Sequence, residues 1–116
     1  MKTFAGRKLG RPTGHRMALL RNLAVSLLQN EKLETTLPKA KELSRFADKI
    51  ITMAKREGLN SHRSVARFIK PDNVRKKVFD VLVPRYQSRH GGYTQIIKSG
   101  RRMGDAAEMA VIRLMS

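Results

Sequence analysis

Between Thr13 and Asn30 the apolar residues Met17, Leu20, Leu23, Ala24, Leu27 and Leu28 recur three and four positions apart. That spacing predicts a helix with one buried face, which Thr13 can cap. His15, Arg16, Arg21, Asn22 and Gln29 fall on its flanks or opposite side. The next segment alternates, with Leu33, Thr35 and Leu37 on one side and Lys32, Glu34 and Thr36 on the other. A short, half-buried strand follows from that period of two. Pro38 then stands where a helix tolerates proline, in the first turn. Ala40, Leu43, Ala47, Ile50, Ile51 and Ala54 line the stripe of a second helix, for which Gly58 offers a left-handed stop.

A third, shorter helix can start at Asn60 or Ser61 and must halt before Pro71, whose ring disfavours a helical residue at position 70. Asp72 can cap a fourth, presenting Val74, Val78, Val81 and Leu82 and closed by Pro84. Then the pattern changes. "YTQIIK" and "EMAVIRLM" are β-rich and are joined by the turn-forming "SGRRMGDA", which predicts an antiparallel hairpin with a long tip. A lone hairpin is marginal in water, so the first strand is expected to join it as a third. The expected class is α+β, in the order helix, strand, three helices, two strands. The expected architecture is a single domain over 13–116, preceded by a basic arm over 1–12 that is rich in Gly and Pro.

Composition sharpens this picture. The 116 residues suit one domain with a modest core, and aromatics at 5% make that core chiefly aliphatic. With 25 Lys and Arg against 9 Asp and Glu, the net charge is +16. A compact body of that charge repels itself unless a polyanion screens it, and nucleic acid is the commonest such partner. Six basic residues and no acid lie between Met1 and Asn30, and five and no acid between Val81 and Gly104. The middle of the chain mixes the two signs. Acid-free ends suggest a surface that faces phosphates.

The chemistry of sites is thin. With no cysteine, thiol catalysis, disulfides and Cys-based zinc sites are excluded. His15, His62 and His90 stand far apart in sequence, at no metal-ligand spacing. No apolar run reaches the length of a membrane span. "RHGGYTQIIKSGRR" allows two readings. His90, Tyr93 and Asp105 could form a nuclease-like group, although their spacing fits no known mechanism. Alternatively, Gly91 and Gly92 let backbone amides approach phosphates flanked by Arg89 and His90. Tyr93 could stack on a base or pack in the core. In "HRSVARFIK", Arg63 and Arg67 suit a solvated face or a phosphate contact equally. A regulatory DNA-binding protein would need a polar recognition helix, and "LLRNLAVSLLQ" is apolar for one.

Several strings carry a resemblance: "GRKLGR", "HRMALLRNLAVSLL", "ETTLPKAKEL", "ITMAK", "RHGGYTQIIK" and "GDAAEMAVIRL". In order and spacing the chain resembles the bacterial large-subunit ribosomal protein L-seventeen family along nearly its whole length. It departs at "MKTFA", at "SHRS" and at Arg113. The resemblance implies a structural component of the cytoplasmic 50S subunit that binds 23S ribosomal RNA near the nascent-chain tunnel exit, beside other ribosomal proteins. It also implies a small α+β domain with a three-stranded mixed sheet, and no activity or cofactor; no metal, membrane or small-molecule substrate is expected either. The residues expected to meet RNA are Lys2, Arg7, Lys8 and Arg11 in the arm, His15, Arg16 and Arg21 on the first helix, and Arg63 and Arg67 on the third. Arg85, Arg89, His90, Tyr93, Lys98, Arg101 and Arg102 complete the set in the last third.

Overall fold

The computed structural model describes residues 13–56 and 58–116, Thr13 by its backbone only. Helix α1 (Thr13–Asn30) leads into strand β1 (Lys32–Thr36), helix α2 (Leu37–Lys55) and helix α3 (Leu59–Ala66). Helix α4 (Asp72–Lys77) continues as a π-helical turn (Val78–Leu82) and a closing α turn (Val83–Arg85). Strands β2 (Thr94–Arg101) and β3 (Glu108–Leu114) end the chain. The α+β order and the recruitment of β1 follow the pattern of the sequence.

The sheet itself corrects one expectation. Its strand order is β1-β3-β2, and both pairings are antiparallel. It is therefore not mixed. β1 and β2 do run the same way, but β3 lies between them, so no parallel ladder forms. Along β3, Ala110, Ile112 and Leu114 point to the core, while Met109, Val111 and Arg113 face outward and stay half-buried or exposed. A β-bulge at Ser99 shifts the register between Lys98 and Gly100, and Gly100 takes φ 118°, which an L side chain resists.

α2 is the hub, packed against α1, α3 and the inner sheet face. Leu43, Phe46, Ala47, Ile50 and Ile51 are 0–1% exposed along it. Truncating a leucine or isoleucine at such sites typically costs roughly 2–5 kcal/mol. Pro38 does sit in the first turn, behind an extended Thr36. Gly58, by contrast, is not the left-handed cap of α2. That helix ends at an extended Arg56, and Gly58 (φ 107°, ψ 176°) instead opens α3. α3 tightens into a turn after Ala66 because Pro71 bars a helical Lys70. Asp72 lies in the first turn of α4 rather than capping it, its carboxylate meeting Arg75. Pro84 does not close the fourth helix either: one more residue follows it. Proline has no N–H to donate, and its ring would crowd the carbonyl one turn back. The preceding turn is wider, with the Val83 N–H bonded to the Val78 carbonyl.

At the junction of α1 and β1, Glu31 holds φ 65°, a conformation unfavourable for a residue with a Cβ. Its surroundings hold it there. Arg85 grips both carboxylate oxygens at 2.6 and 3.2 Å, and Lys77 Nζ lies 3.0 Å away. The Leu114 N–H donates to the Glu31 carbonyl at 2.9 Å. One residue thus ties α1, the π-turn rod and the sheet. Arg85, with Lys77 adding to it, lowers the Glu31 carboxyl from its ordinary 4.5 to about 2.

Candidate nucleic-acid interface

The first group of cations surrounds α1 and α3. His15, Arg63 and Arg67 are exposed, and Arg21 is half-buried with its guanidinium carbon 5.8 Å from the centre of the Phe68 ring. Arg16 corrects the expected flank position. Its side chain is 4% exposed and faces Glu42 of α2 at 3.7 Å, with Glu42 3% exposed. Arg16 precedes Leu20 by four and Ala24 by eight, so the apolar stripe carries it inward. It is a buried residue here, turned toward α2.

The second group is the loop from Arg85 to Tyr93. Gly91 (φ 106°) and Gly92 (φ 63°) turn the chain into β2, using conformations that favour glycine. Lys55 of α2 fixes this loop by donating to the Arg89 carbonyl at 2.5 Å and to the Tyr93 hydroxyl at 3.0 Å. Arg89 donates to the Gly92 carbonyl at 3.1 Å, and its charge stays exposed beside exposed His90. Tyr93 is 2% exposed, its ring 5.0 Å from that of Tyr86, and its hydroxyl donates to the Arg89 carbonyl. Of the two roles open to Tyr93, the structure therefore selects core packing, and no ring face remains for a base. The Tyr93 N–H donates to Asp48, whose carboxyl burial raises above its ordinary 3.8 despite that bond. Arg85 spends its fork on Glu31, as above.

The third group is the hairpin tip, where every residue from Ile97 to Ala106 is exposed. Lys98 has no ion pair among the described residues. Arg101 lies only loosely near Glu108, at 3.9 Å. Arg102 is committed. It reaches Asp105 through Nε at 3.2 Å and Nη2 at 2.7 Å, and Asp105 also accepts the Ala107 N–H at 3.1 Å. The Arg102 contact first, and the Ala107 N–H second, bring the Asp105 carboxyl down to about 2. Asp105 thereby builds the turn. His90, Tyr93 and Asp105 each have other engagements or none, and no contact joins them into a catalytic group. No cluster of three metal-ligating side chains occurs among the described residues.

Comparison with known proteins identifies this scaffold. The profile of the family "Ribosomal protein L17" matches residues 19–115. The chain belongs to the ribosomal protein L17 family. It is 49% identical, over all of its length and 99% of the relative's, to "Large ribosomal subunit protein bL17" of Endomicrobium trichonymphae. The protein of the same name from Trichlorobacter lovleyi is 50% identical over 96% of this chain and 90% of its own. That from Clostridium acetobutylicum is 50% identical over 94% and 96%. Membership makes the protein a structural component of the ribosome rather than an enzyme.

Within this ribosomal protein the expected contact residues fall into separate groups, and none of the hydrogen bonds and ion pairs given above for the described residues links one group to another. Arg21 stands with α3, Arg89 and His90 at the diglycine loop, and Lys98, Arg101 and Arg102 on the projecting finger. Lys2, Arg7, Lys8 and Arg11 lie outside the described residues. Sequence reasoning missed Lys70, exposed and brought opposite Arg21 across a groove. It also missed Lys55, which secures the diglycine loop from α2. The run "RFIKP" hinted at the first, since Pro71 forces an extended Lys70. Nothing local announced the second. No helix among the described residues is long and apolar enough to cross a membrane.

Proposed function

We propose that the chain is a structural protein of the large ribosomal subunit that grips folded 23S ribosomal RNA through cations on separate parts of its surface. The observation that supports this best is the finger from Ile97 to Ala106, exposed throughout and carrying Lys98, Arg101 and Arg102 against one acid, Asp105. A flexible polycation would bind RNA too. Here the bulge at Ser99 and the Asp105 turn hold the charges on a preformed hairpin, which suits a folded target of defined shape. Arginine predominates, and its planar fork matches phosphate oxygens. Lys2, Arg7, Lys8 and Arg11 add a second cationic segment, and His15, Arg21, Arg63, Arg67, Arg89 and His90 the ground between. A site near the nascent-chain tunnel exit, beside neighbouring ribosomal proteins, is part of the proposal because the family resemblance implies it.

Salt titration tests the reading. If roughly ten phosphates are neutralised on a duplex-like surface, log affinity for a large-subunit RNA transcript falls with log salt at a slope near −9. Duplex DNA of equal length binds more weakly at about 200 mM salt, because backbone charge alone then contributes little. Equal affinity for the two at that salt would refute recognition of folded RNA.

A further inference from the structure

We propose that the groove between α1 and the Phe68–Pro71 segment receives a single unstacked nucleotide of the bound RNA. The groove has a volume of about 580 Å³, inside the roughly 300–1,000 Å³ of sites that hold small ligands. Ala18, Asn22 and Ser26 recur at four-residue spacing on α1, so their small side chains leave its surface open to close approach. Val25, Phe68 and Pro71 supply apolar wall. Two cations complete the lining, Arg21 and Lys70, and among the described residues no carboxylate does. Apolar walls for a base, cations for its phosphate, and the Asn22 amide and Ser26 hydroxyl for hydrogen bonds together match one nucleotide. A protein side chain of either apolar or acidic type would use only half of that lining.

The site is also held in place before binding. Arg75 donates to the Ile69 carbonyl at 2.8 Å and the Lys70 carbonyl at 2.5 Å, fixing the wall that ends in Pro71. Arg21 is kept over the Phe68 ring, and its Nε is buried without a hydrogen-bond acceptor. Neither Arg21 nor Lys70 forms an ion pair among the described residues. Their charge is therefore available to a phosphate. RNA-binding proteins read unstacked bases in this manner, and the loss of one such base contact is felt as a fall in affinity of about tenfold.

The inference rests on the RNA-binding reading, and the test separates the two. Ala18 is exposed, so Ala18→Trp fills the groove without entering the core; Lys70→Glu reverses its charge. Each full-length variant is titrated against the 23S transcript domain that the unaltered chain binds most tightly, with melting temperature as the check on folding. About tenfold weaker binding by both variants, at unchanged melting temperature, is expected. Ultraviolet crosslinking of the unaltered complex should also leave single-nucleotide adducts on peptides holding residues 18–26 or 68–71. Unaltered affinity in Ala18→Trp overturns the groove. If Arg101→Ala still weakens binding in that case, the RNA reading survives it. Normal RNA affinity with impaired entry into subunits would assign the groove to a neighbouring protein, also against the proposal. Failure of the unaltered chain to bind any domain would overturn both.

Discussion

Replacing Glu42 by Leu removes the carboxylate that faces the buried Arg16 guanidinium. The two side chains are 4% and 3% exposed and 3.7 Å apart, so little water can replace that carboxylate beside the cation. Removing one partner of a buried pair typically costs about 3–5 kcal/mol, because the remaining charge stays desolvated. In a domain of this size each 1 kcal/mol lowers the melting temperature by roughly 4–8 °C, so thermal unfolding should show a drop of at least 12 °C or so. The double variant Arg16→Met with Glu42→Leu removes both charges and keeps apolar volume, and should recover most of the loss. Circular dichroism melts of the three proteins give the comparison. RNA titration of the double variant adds a second reading, with the salt slope unchanged because Arg16 meets no phosphate. A single variant within 1 kcal/mol of the parent, or a double variant no better than the single, would refute the burial argument. A shallower slope in the double variant would return Arg16 to the interface.

Three other outcomes are expected. The Glu31 carboxyl is depressed from 4.5 to about 2, so its contribution to stability is present above pH 4.5 and lost as pH falls toward 2. Glu31→Gln should flatten the dependence of melting temperature on pH in that window, and an unchanged curve would remove the ion-pair explanation. Tyr93→Phe deletes the hydroxyl that meets Arg89 and Lys55, which should lower stability by about 1 kcal/mol while RNA affinity stays within about twofold. Weaker RNA binding at unchanged stability would place Tyr93 at the interface after all. Asp105→Asn keeps an acceptor for the Ala107 N–H but releases the Arg102 charge. The salt slope for RNA binding should steepen by about one; an identical slope would mean that Arg102 meets no phosphate.

Much of the scaffold was legible because it obeys simple periods. The stripe through Met17, Leu20, Ala24 and Leu27 and the alternation Ala110, Ile112, Leu114 both face the core as expected. Sheet order was not legible, since alternation fixes a strand's faces but not which neighbour's edge it joins. Arg16 was missed for a different reason. Charge argued for the surface, position in the stripe argued for the core, and a partner 26 residues away decided the matter. The π turn before Pro84 has a local cause, yet a proline near a helix end reads first as a stop. In the candidate interface, the acid-free windows located the cationic regions. They could not reveal pairing across a window edge, and Asp105, one residue beyond, neutralises Arg102 by folding back. The groove was hidden because its walls come from segments some fifty residues apart, Ala18 and Phe68 among them.

Hydroxyl-radical cleavage of ribosomal RNA, in large subunits assembled with and without this chain, measures the grip most directly. The account predicts backbone protection in separate stretches of 23S rRNA, one of them lost when Lys98, Arg101 and Arg102 are replaced together by alanine. Identical cleavage along the whole RNA in both preparations would contradict it.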